Sequence, residues 1–371
     1  MALVAVHEWV SISSPVLNTA LYLASMGYDV DLFVVQSRKF QMPKLGDERI
    51  RVYVLENVLL RSCLFRELEI VVRRLIPPRR YRFLVGFDPD GLLRAGFLSM
   101  VWRVSYLYHS LEINEYADNC DGRIRKAVER YFAKRAMFIL TQDETRAEIV
   151  ARGNNVPLEK ILVLYNTGIG SVLTEKDDYL RKRLGIPQDR TIVLATGTLG
   201  MEHCIEKIVR SVEKWPDKFV LVLHGWFYDS YYENRVRSYM SCHADKVFIS
   251  TELIPFEEKY RIFKSADIGL VFYEPFNTNM RYTGASSGKL FDFMRAGVPV
   301  IANDLPGMRQ LVEGNGVGIV VKGEDDIGDA LSRILEAYRD FREMGFETYE
   351  RYEFSTCYSK ILGNIALALH K

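Results

Sequence analysis

The sequence predicts an α/β protein made of two Rossmann-like domains, each with a parallel sheet. Short apolar segments alternate with amphipathic ones along the chain, which predicts repeated strand and helix units. The 371 residues are enough for two domains of ordinary size, and 48% hydrophobic content is ample for their cores. The alternation also restarts after a charged segment, Thr174–Arg183, which is interpreted as the crossing between domains.

The first half opens with a predicted βαβ unit. Residues 2–6 form an apolar strand, Pro15 begins a helix that runs to Met26, and Gly27 ends it before a second strand at Asp29–Val35. No G-x-G-x-x-G follows the first strand, which disfavours a Rossmann dehydrogenase. The alternation continues as strand, helix, strand, helix and strand and closes on a strand, over residues 82–86, 92–101, 105–108, 123–135, 137–141 and 161–164.

The second half begins with an apolar strand, Thr191–Thr196, that runs into a glycine-bounded turn, Gly197–Gly200. Strand and helix alternation of this kind implies parallel sheets with right-handed crossovers. In such sheets ligands bind beyond the carboxyl ends of strands, where the strand order reverses. The loops after Thr196 and Phe272 are expected at such ends. The other predicted helices and strands of this half are residues 204–214, 219–224, 247–250, 257–264, 268–272, 327–342 and 357–369.

Residues 287–304, SGKLFDFMRAGVPVIAND, predict a loop, an amphipathic helix, a tight turn and a buried strand. The helix begins at Ser287-Gly288, where the first turn leaves backbone N–H groups unpaired and carries the positive end of the helix dipole. Lys289 and Asp292 lie three residues apart, so a cation and a carboxylate share neighbouring parts of one face. Gly297 is placed to end the helix in a left-handed conformation. We therefore predict an anion site, with phosphate the usual ligand.

Composition excludes some classes of protein. The 49 basic and 48 acidic residues give a net charge of +1, which argues against a nucleic-acid binder. The five cysteines are scattered without a C-x-x-C pair, which favours a reducing, cytoplasmic setting. We see neither an apolar run of about 20 residues nor a signal-peptide pattern, so the prediction is a cytoplasmic protein, at most peripheral on the inner face of the membrane.

Four blocks of the second half, in this order and spacing, resemble the nucleotide-binding domain of glycosyltransferases of GT-B architecture, and more narrowly the retaining family-4 type, glycosyl transferases group 1. Weaker blocks in the first half, Asp88–Asp90 and Leu107–Glu112, look like the acceptor domain of the same family. The four strong blocks are Gly197–Gly200, Ser265–Val271, Asn279–Tyr282, and 287–304 followed by Gly307 and Glu313.

The resemblance implies two Rossmann-like domains with parallel sheets facing across a cleft. Residues 1–172 would bind the acceptor and residues 173–371 the nucleotide sugar, with the last helix packing back on the first domain. The implied activity is transfer of a hexosyl or related group from a UDP- or GDP-sugar to a saccharide or lipid-linked acceptor, with retention and with neither metal nor other cofactor required. Two alternatives stay open: a nucleotide-sugar 2-epimerase-like isomerase, and a non-catalytic nucleotide-sugar-binding partner of another transferase.

The resemblance also suggests roles in the donor site. Asp292 stands where the family has a glutamate that binds the ribose hydroxyls, and the first glutamate of that pair would fall at Gly284, so it is absent. Glu274, or the backbone N–H groups at the start of the 287–304 helix, are candidates to replace it. His203 stands where the family usually has lysine.

Lys289 and Arg281 are therefore expected to neutralise the diphosphate, with Lys207 a third candidate, and backbone atoms near Leu253 and Ile254 are expected to recognise the base. The full set of expected donor-binding residues is Gly197, Thr198, Leu199, Gly200, Leu253, Ile254, Arg281, Ser286, Ser287, Gly288, Lys289, Leu290 and Asp292.

Four residues are expected to act in catalysis: Glu112, His109, Glu274 and Lys289. Glu112 and His109 follow the predicted strand at 105–108 and are candidates for a base facing the acceptor, although His109 also fits a packed loop histidine. His7, after the first strand, is similarly placed. No metal site is predicted, because Pro89 favours a turn where Asp88 and Asp90 have the Asp-x-Asp spacing.

An arginine-rich segment precedes the third predicted strand. Residues 49–82 contain nine arginines and three glutamates, and apolar residues at 60, 64, 68, 71 and 75 form a helical stripe. A basic helix with an apolar face could bind an anionic membrane surface through residues 57–82, as a lipid-linked acceptor would require. Alternatively, the stripe packs on the first sheet and the arginines are solvated.

Overall fold

The computed structural model describes residues 2–5, 13–35, 42, 45–55, 81–116 and 119–369. The chain divides into two compact units. One is Met1–Ile169 together with Phe354–Lys371, and the other is Gly170–Glu353. Each unit is a parallel sheet covered by helices, so the predicted α/β class with two Rossmann-like sheets is confirmed.

The first unit is built on seven parallel strands in the order β3-β2-β1-β4-β5-β6-β7. Strand β1 lies between β2 and β4, so the direction of winding reverses between β1 and β4. The strands are β1 Ala2–Ala5, β2 Val30–Val35, β3 Ile50–Leu55, β4 Leu84–Phe87, β5 Tyr106–His109, β6 Ile139–Thr141 and β7 Ile161–Val163. The helices are α1 Ser14–Ser25, α2 Asp88–Trp102, α3 Cys120–Arg135 and α4 Glu144–Asn154.

The second unit repeats this topology with six parallel strands in the order β10-β9-β8-β11-β12-β13. Its order reverses between β8 and β11, so the loops that leave these two strands begin side by side. The strands are β8 Thr191–Thr198, β9 Phe219–Trp226, β10 Val247–Ser250, β11 Ile268–Val271, β12 Val300–Asn303 and β13 Gly318–Val321.

The helices of the second unit vary from one turn to four. They are α5 Tyr179–Leu184, α6 Ile205–Ser211, α7 Ser230–Ser241, α8 Tyr260–Lys264, α9 Thr278–Arg281, α10 Gly288–Arg295, α11 Met308–Val312, α12 Ile327–Glu336 and α13 Tyr338–Tyr352. The last helix, α14 Phe354–Leu369, belongs to the first unit, where Tyr358 packs against Tyr22 with 5.3 Å between ring centroids. Within the described ranges, no helix is both long and apolar enough to cross a membrane.

Helix α10, the centre of the predicted anion motif, is packed tightly onto β11. A Cβ at Gly269 would lie 2.6 Å from the Phe293 ring, so only glycine leaves room for this side chain. The Phe293 ring also packs against the Phe263 ring in a T-shaped arrangement, with 5.0 Å between centroids. Gly297 has φ +59°, so the predicted left-handed end of the helix is confirmed.

The structure departs from the predicted elements in several places. The predicted helix at 327–342 is two helices that meet at Ala337, and the predicted crossing at 174–183 includes most of α5. Strand β3 was missed because its alternation lies inside the arginine-rich segment, where Arg51 Nε reaches Asp31 Oδ1 at 2.8 Å. Elements α4, α7, α11 and β13 were not predicted from the sequence either.

Candidate active site

The end of β8, at Gly197, has a backbone conformation that favours glycine. Gly197 has φ +106°, and a Cβ on its neighbour Gly225 would overlap the Gly197 carbonyl oxygen. Thr198 still pairs with Trp226 of β9, and the Leu199 N–H donates to the Trp226 carbonyl at 2.8 Å. Strand β8 therefore extends to the edge of the turn before Gly200 begins the next loop.

The short turn before α10 uses some of the N–H groups that were expected to bind an anion. The Ser286 N–H donates to the Thr283 carbonyl at 2.8 Å, and the Ser287 N–H donates to the Gly284 carbonyl at 3.2 Å. The Ser286 hydroxyl donates to the same Thr283 carbonyl at 2.9 Å. The backbone donors of both serines are thus already used within the turn.

The donors that remain at the start of α10 belong to Gly288 and Lys289. Leu290 N–H donates to the Ser287 carbonyl at 3.1 Å, and the Ser287 hydroxyl does not cap the helix because it hydrogen-bonds the Tyr273 hydroxyl at 2.6 Å. The first turn of a helix leaves its N–H groups without intrahelical acceptors and at the positive end of the dipole. Of the backbone N–H groups that were expected to bind an anion here, those of Gly288 and Lys289 are therefore the available ones.

The Lys289 ammonium lies beside the turn after β8. Its Nζ is 3.3 Å from His203 Nδ1 and 4.9 Å from the centre of the Tyr273 ring, and a Cβ at Gly197 would be 3.9 Å away. Burial lowers the pKa of Lys289 to about 8, while Glu202 and Cys204 act in the opposite direction. The side chain is cationic at neutral pH, and the structure brings it to the switch point of the sheet.

His203 is a half-buried, neutral ring. It ends a one-turn 3-10 helix, Met201–His203, and meets the Tyr273 ring edge-on with 5.0 Å between centroids. Burial lowers the pKa of His203 to about 2, and the adjacent Lys289 ammonium adds to the effect, whereas a hydrogen bond to the Phe272 backbone opposes it. From the sequence, His203 stood out only as the residue in the place of the family's usual lysine, because its neighbour Lys289 is 86 positions away in the chain.

Two other candidate residues, Glu274 and Lys207, form an ion pair. The Glu274 carboxylate accepts a hydrogen bond from the Lys207 ammonium and a weaker one from Cys204 Sγ at 3.7 Å. The Glu274 N–H donates to the Glu202 carbonyl at 3.0 Å. Arg281 ends the short helix α9 with an exposed side chain. Lys289 is therefore the candidate cation that the structure places directly at the turn after β8.

Asp292 is buried and holds three hydrogen bonds. Its carboxylate accepts from Lys259 Nζ at 3.0 and 3.1 Å and from the Tyr260 hydroxyl at 2.7 Å. Burial raises the pKa of Tyr260, and the Asp292 charge raises it further. The Arg295 guanidinium lies 4.4 Å from the centre of the Tyr260 ring. This cluster gives Asp292 a structural role, which the helix motif did not reveal because Lys259 and Tyr260 come from a different part of the chain.

Gly284 occupies the place of the glutamate that the resemblance leads one to expect. It is buried, and a Cβ there would lie 3.1 Å from Leu311 Cδ1 of α11. A larger residue would require Leu311 to move. Close packing of the turn against α11 thus accounts for glycine at this position.

The expected base-recognition loop follows β10. Leu253 is 43% exposed and Ile254 is half-buried. The neighbouring Glu252 carboxylate accepts from Arg183 at 3.0 Å and from the Tyr179 hydroxyl at 3.3 Å. The loop is thus anchored at Glu252 and offers its next residues to solvent.

In the first unit, His109 is the last residue of β5 and is 1% exposed. Its ring packs on Phe87 with 5.2 Å between centroids, and burial lowers the pKa of His109 to about 3. This is the geometry of a packed histidine, which was the alternative interpretation of the sequence. His7 and residues 56–80, with most of the predicted membrane-binding segment, lie outside the described residues.

The loop after β5 is held from both sides. Asp88 Oδ1 accepts from the N–H groups of Leu111 at 2.9 Å and Glu112 at 3.0 Å. Arg146, 1% exposed, donates from Nη2 to the Leu111 carbonyl at 2.8 Å and lies 4.0 Å from Glu112 Oε2. The Glu112 side chain is 63% exposed. Glu112 is thus presented to solvent from a firmly held loop.

Asp88 itself has an unusual conformation at the junction of β4 and α2. Its φ is +54°, in the left-handed region that non-glycine residues seldom adopt. Burial raises the pKa of Asp88 to about 7, and the Glu112 charge adds to the rise, whereas the two backbone N–H groups and Arg146 lower it. The sequence pattern indicated a turn at Asp88–Asp90, whereas these residues begin α2. The pattern gave no sign of the left-handed backbone or of the buried carboxyl group.

Comparisons with known proteins agree with the fold and with the motif at the start of α10. Residues 190–340 match the family described as Glycosyl transferases group 1. An uncharacterised glycosyltransferase of Methanocaldococcus jannaschii is 25% identical over 286 residues, which are 69% of this chain and 68% of that protein. The family match falls within the second unit, and the resemblance drawn from the sequence blocks is confirmed.

Solved structures show the same fold over the whole chain. Sucrose-phosphate synthase from Thermosynechococcus elongatus is 17% identical with a TM-score of 0.72, and the match covers 100% of this chain and 98% of that one. HepE of Anabaena, solved with UDP-glucose, is 14% identical with a TM-score of 0.74, and the match covers 99% of each chain. These likenesses establish the GT-B fold over the whole chain.

Proposed function

We propose that the protein transfers a hexosyl or related group from a nucleotide-diphosphate sugar to a saccharide or lipid-linked acceptor. The observation that carries this proposal is the pairing of the Lys289 ammonium with the uncapped start of α10, at the point where the strand order reverses between β8 and β11. A diphosphate needs both a cation and backbone donors, and this point of the second unit offers both.

The chemistry of the leaving group explains why a cation is needed there. Breaking the bond between sugar C1 and the phosphate oxygen leaves positive charge on the sugar and additional negative charge on the diphosphate. Lys289 and the α10 dipole would stabilise that negative charge most strongly in the transition state. Gly288 contributes a backbone donor, and its lack of a side chain lets phosphate oxygens approach.

The remaining donor contacts follow from the positions of the loops. Gly197, Thr198, Leu199 and Gly200 would border the diphosphate, Arg281 would add a second cation, and backbone atoms at Leu253 and Ile254 would meet the base. Asp292 could bind ribose hydroxyls only by exchanging at least one of its present partners, Lys259 or Tyr260. We therefore place its ribose role second to its structural role.

UDP is the nucleotide that we propose, with GDP as the alternative. HepE of Anabaena, which shares the fold, has been solved with UDP and with UDP-glucose. We further propose that transfer retains the anomeric configuration and needs no metal, since the ammonium and the helix start would supply the positive potential. In a retaining reaction the departing diphosphate helps to deprotonate the acceptor, and Glu112 would orient the acceptor hydroxyl. In an inverting reaction Glu112 would serve as the base.

Thermal shift with UDP-, GDP- and ADP-sugars, each with and without a chelator, tests the donor proposal because a bound ligand stabilises the fold by mass action. We expect a UDP-sugar to raise Tm and the chelator to leave that rise unchanged. Product analysis with labelled donor then separates the alternatives. Transfer to a saccharide supports the proposal, conversion to an isomeric nucleotide sugar supports an epimerase, and binding without turnover supports a non-catalytic partner.

The place of action is a separate proposal that rests on the sequence. A cytoplasmic protein held peripherally at the membrane by residues 57–82 would meet a lipid-linked acceptor there. Flotation with anionic liposomes should show binding that salt weakens. A protein that stays with the soluble fraction at low salt would contradict it.

A further inference from the structure

The contact between His203 and Lys289 joins two loops at the carboxyl edge of the second sheet. His203 follows β8, whereas Lys289 is in the first turn of α10, which is packed on β11. The 3.3 Å separation of Lys289 Nζ and His203 Nδ1 is within hydrogen-bonding distance. A histidine beside an ammonium must be neutral and must offer a lone pair, so the tautomer of His203 decides whether this contact attracts or repels.

The surroundings of His203 favour the attractive arrangement. Its ring hydrogen-bonds the Phe272 backbone, which acts to favour protonation and so identifies the backbone group as an acceptor. With Nδ1 facing Lys289, the nitrogen that donates to Phe272 is Nε2. Nδ1 is then the unprotonated nitrogen, and its lone pair accepts from the ammonium.

Tyr273 fixes the ammonium from another direction. The Tyr273 ring lies 4.9 Å from Lys289 Nζ and meets the His203 ring edge-on. Tyr273 is itself held by two hydrogen bonds with Asn303, at 3.1 and 2.8 Å, and by the Ser287 hydroxyl at 2.6 Å. The ammonium therefore lies between the half-buried His203 ring and the buried Tyr273 ring, which is held by these hydrogen bonds.

We propose that His203 is a positioning residue that holds the Lys289 ammonium at the anion site, so that its remaining N–H groups face the diphosphate of the donor. The inference rests on the proposed function, because it concerns how the donor site is organised. Its consequence is that the cation can enter the site from either loop: an ammonium at position 203 would occupy nearly the same place as the ammonium at position 289.

Among the residues that the structure describes, few charged or titratable groups face Lys289. Glu202 lies on the same loop as His203 and attracts the ammonium, and Cys204 acts in the same direction. The Tyr273 ring attracts it through its π face. Because His203 is neutral, its removal changes a hydrogen bond and leaves the net charge of the site unaltered.

The test combines a measurement without ligand and one with UDP. Reductive methylation with labelled formaldehyde keeps the amine ionisable, and Lys289→Arg identifies its NMR signal. We expect His203→Leu to lower the pKa of Lys289 by about one unit, because the ammonium loses one acceptor. His203→Asn, whose Oδ1 can replace Nδ1 as acceptor, should titrate like the wild type.

UDP binding by calorimetry at pH 7.5 provides the second measurement. His203→Leu should bind about 3- to 10-fold more weakly and His203→Asn within threefold of the wild type. The exchanged pair His203→Lys with Lys289→Met should recover at least tenfold of the affinity lost in Lys289→Met alone. If Lys289 titrates identically in wild type and His203→Leu, the positioning role is wrong.

The two proposals fail in different ways. If the wild type binds no UDP-, GDP- or ADP-sugar and no UDP, while Lys289 still titrates lower in His203→Leu, the donor assignment is wrong and the contact between His203 and Lys289 stands. If the wild type binds UDP and neither variant of His203 alters the titration or the affinity, the donor assignment stands and the positioning role is overturned.

Discussion

The two units share one topology but present opposite charges at the carboxyl edges of their sheets. In the second unit the edge at β8 and β11 carries the Lys289 ammonium and the uncapped start of α10. In the first unit the edge at β4 and β5 carries two carboxyl groups, Asp88 and Glu112, with Arg146 buried beside them. We therefore propose that the same kind of parallel sheet carries an anion site in one unit and an exposed carboxylate, Glu112, in the other, because function resides in the loops.

The two edges also differ in how rigidity is obtained. The second unit fixes its cation with the packed rings of His203 and Tyr273. The first unit fixes a backbone loop instead, since Asp88 binds the N–H and Arg146 the carbonyl of Leu111. In the second unit, two rings contact an ammonium at the end of a long side chain. In the first unit, hydrogen bonds from Asp88 and Arg146 hold the backbone that carries Glu112.

The largest expected effect comes from removing the cation of the second edge. Lys289→Met should weaken UDP binding about 10- to 100-fold, because a hydrogen bond to a charged group contributes about 1.5 to 3 kcal/mol. Calorimetry at pH 7.5 measures it. Lys214→Met is the matched control, since Lys214 pairs with Asp325 at the surface. Equal losses of affinity in both variants would show that the overall charge of the protein, and not the position of Lys289, controls UDP binding.

The cluster around Asp292 should be the next most sensitive. Asp292→Ala removes the acceptor of the Lys259 ammonium and the Tyr260 hydroxyl, so the free energy of unfolding should fall by about 1 to 3 kcal/mol in urea. From the sequence alone, this substitution would be expected to leave the fold intact. Asp292→Ala with Lys259→Met should recover part of the loss. A variant as stable as the wild type would argue for a purely ligand-binding aspartate.

Asp88 provides the corresponding test of the first edge. Its folded pKa of about 7 lies above the ordinary 3.8, so the folded state binds more protons than the unfolded state between these values. Stability should therefore fall as pH rises from about 4 to 7. Asp88→Asn should abolish that fall and be more stable than the wild type at pH 8 by about 1 to 2 kcal/mol. Parallel pH profiles of Tm for the two proteins would contradict a raised pKa.

The smallest expected effect is the pH dependence of donor binding. It arises from a lowered lysine pKa, whereas the pH dependence of stability arises from the raised pKa of Asp88. The pKa of Lys289 is lowered to about 8 in the folded protein, so the ammonium is present below pH 8 and is lost above it. UDP affinity should become about tenfold weaker between pH 7 and pH 9, and Lys289→Arg should show no such loss over the same range. An affinity that stays constant to pH 9.5 in the wild type would show that the ammonium does not contact UDP.

Much of the fold was predictable because alternating apolar segments are a local signal. The strands of the second half were predicted as far as the anion motif, whereas β3 was hidden by arginines and β13, which follows the motif, was missed. The helix start at Gly288 and the cation at Lys289 were likewise visible locally. The partners of the site residues were not visible locally, because they come from distant segments of the chain. These contacts are His203 with Lys289, Lys259 with Asp292, and Asp88 with the Glu112 backbone.

We propose that Lys289 recognises the diphosphate and not the nucleoside. Calorimetry with UDP and with uridine, on wild type and Lys289→Met at pH 7.5, distinguishes the two. We expect the preference of the wild type for UDP over uridine to shrink by about tenfold or more in Lys289→Met, and uridine to bind both proteins equally. An unchanged ratio of the two affinities would contradict it.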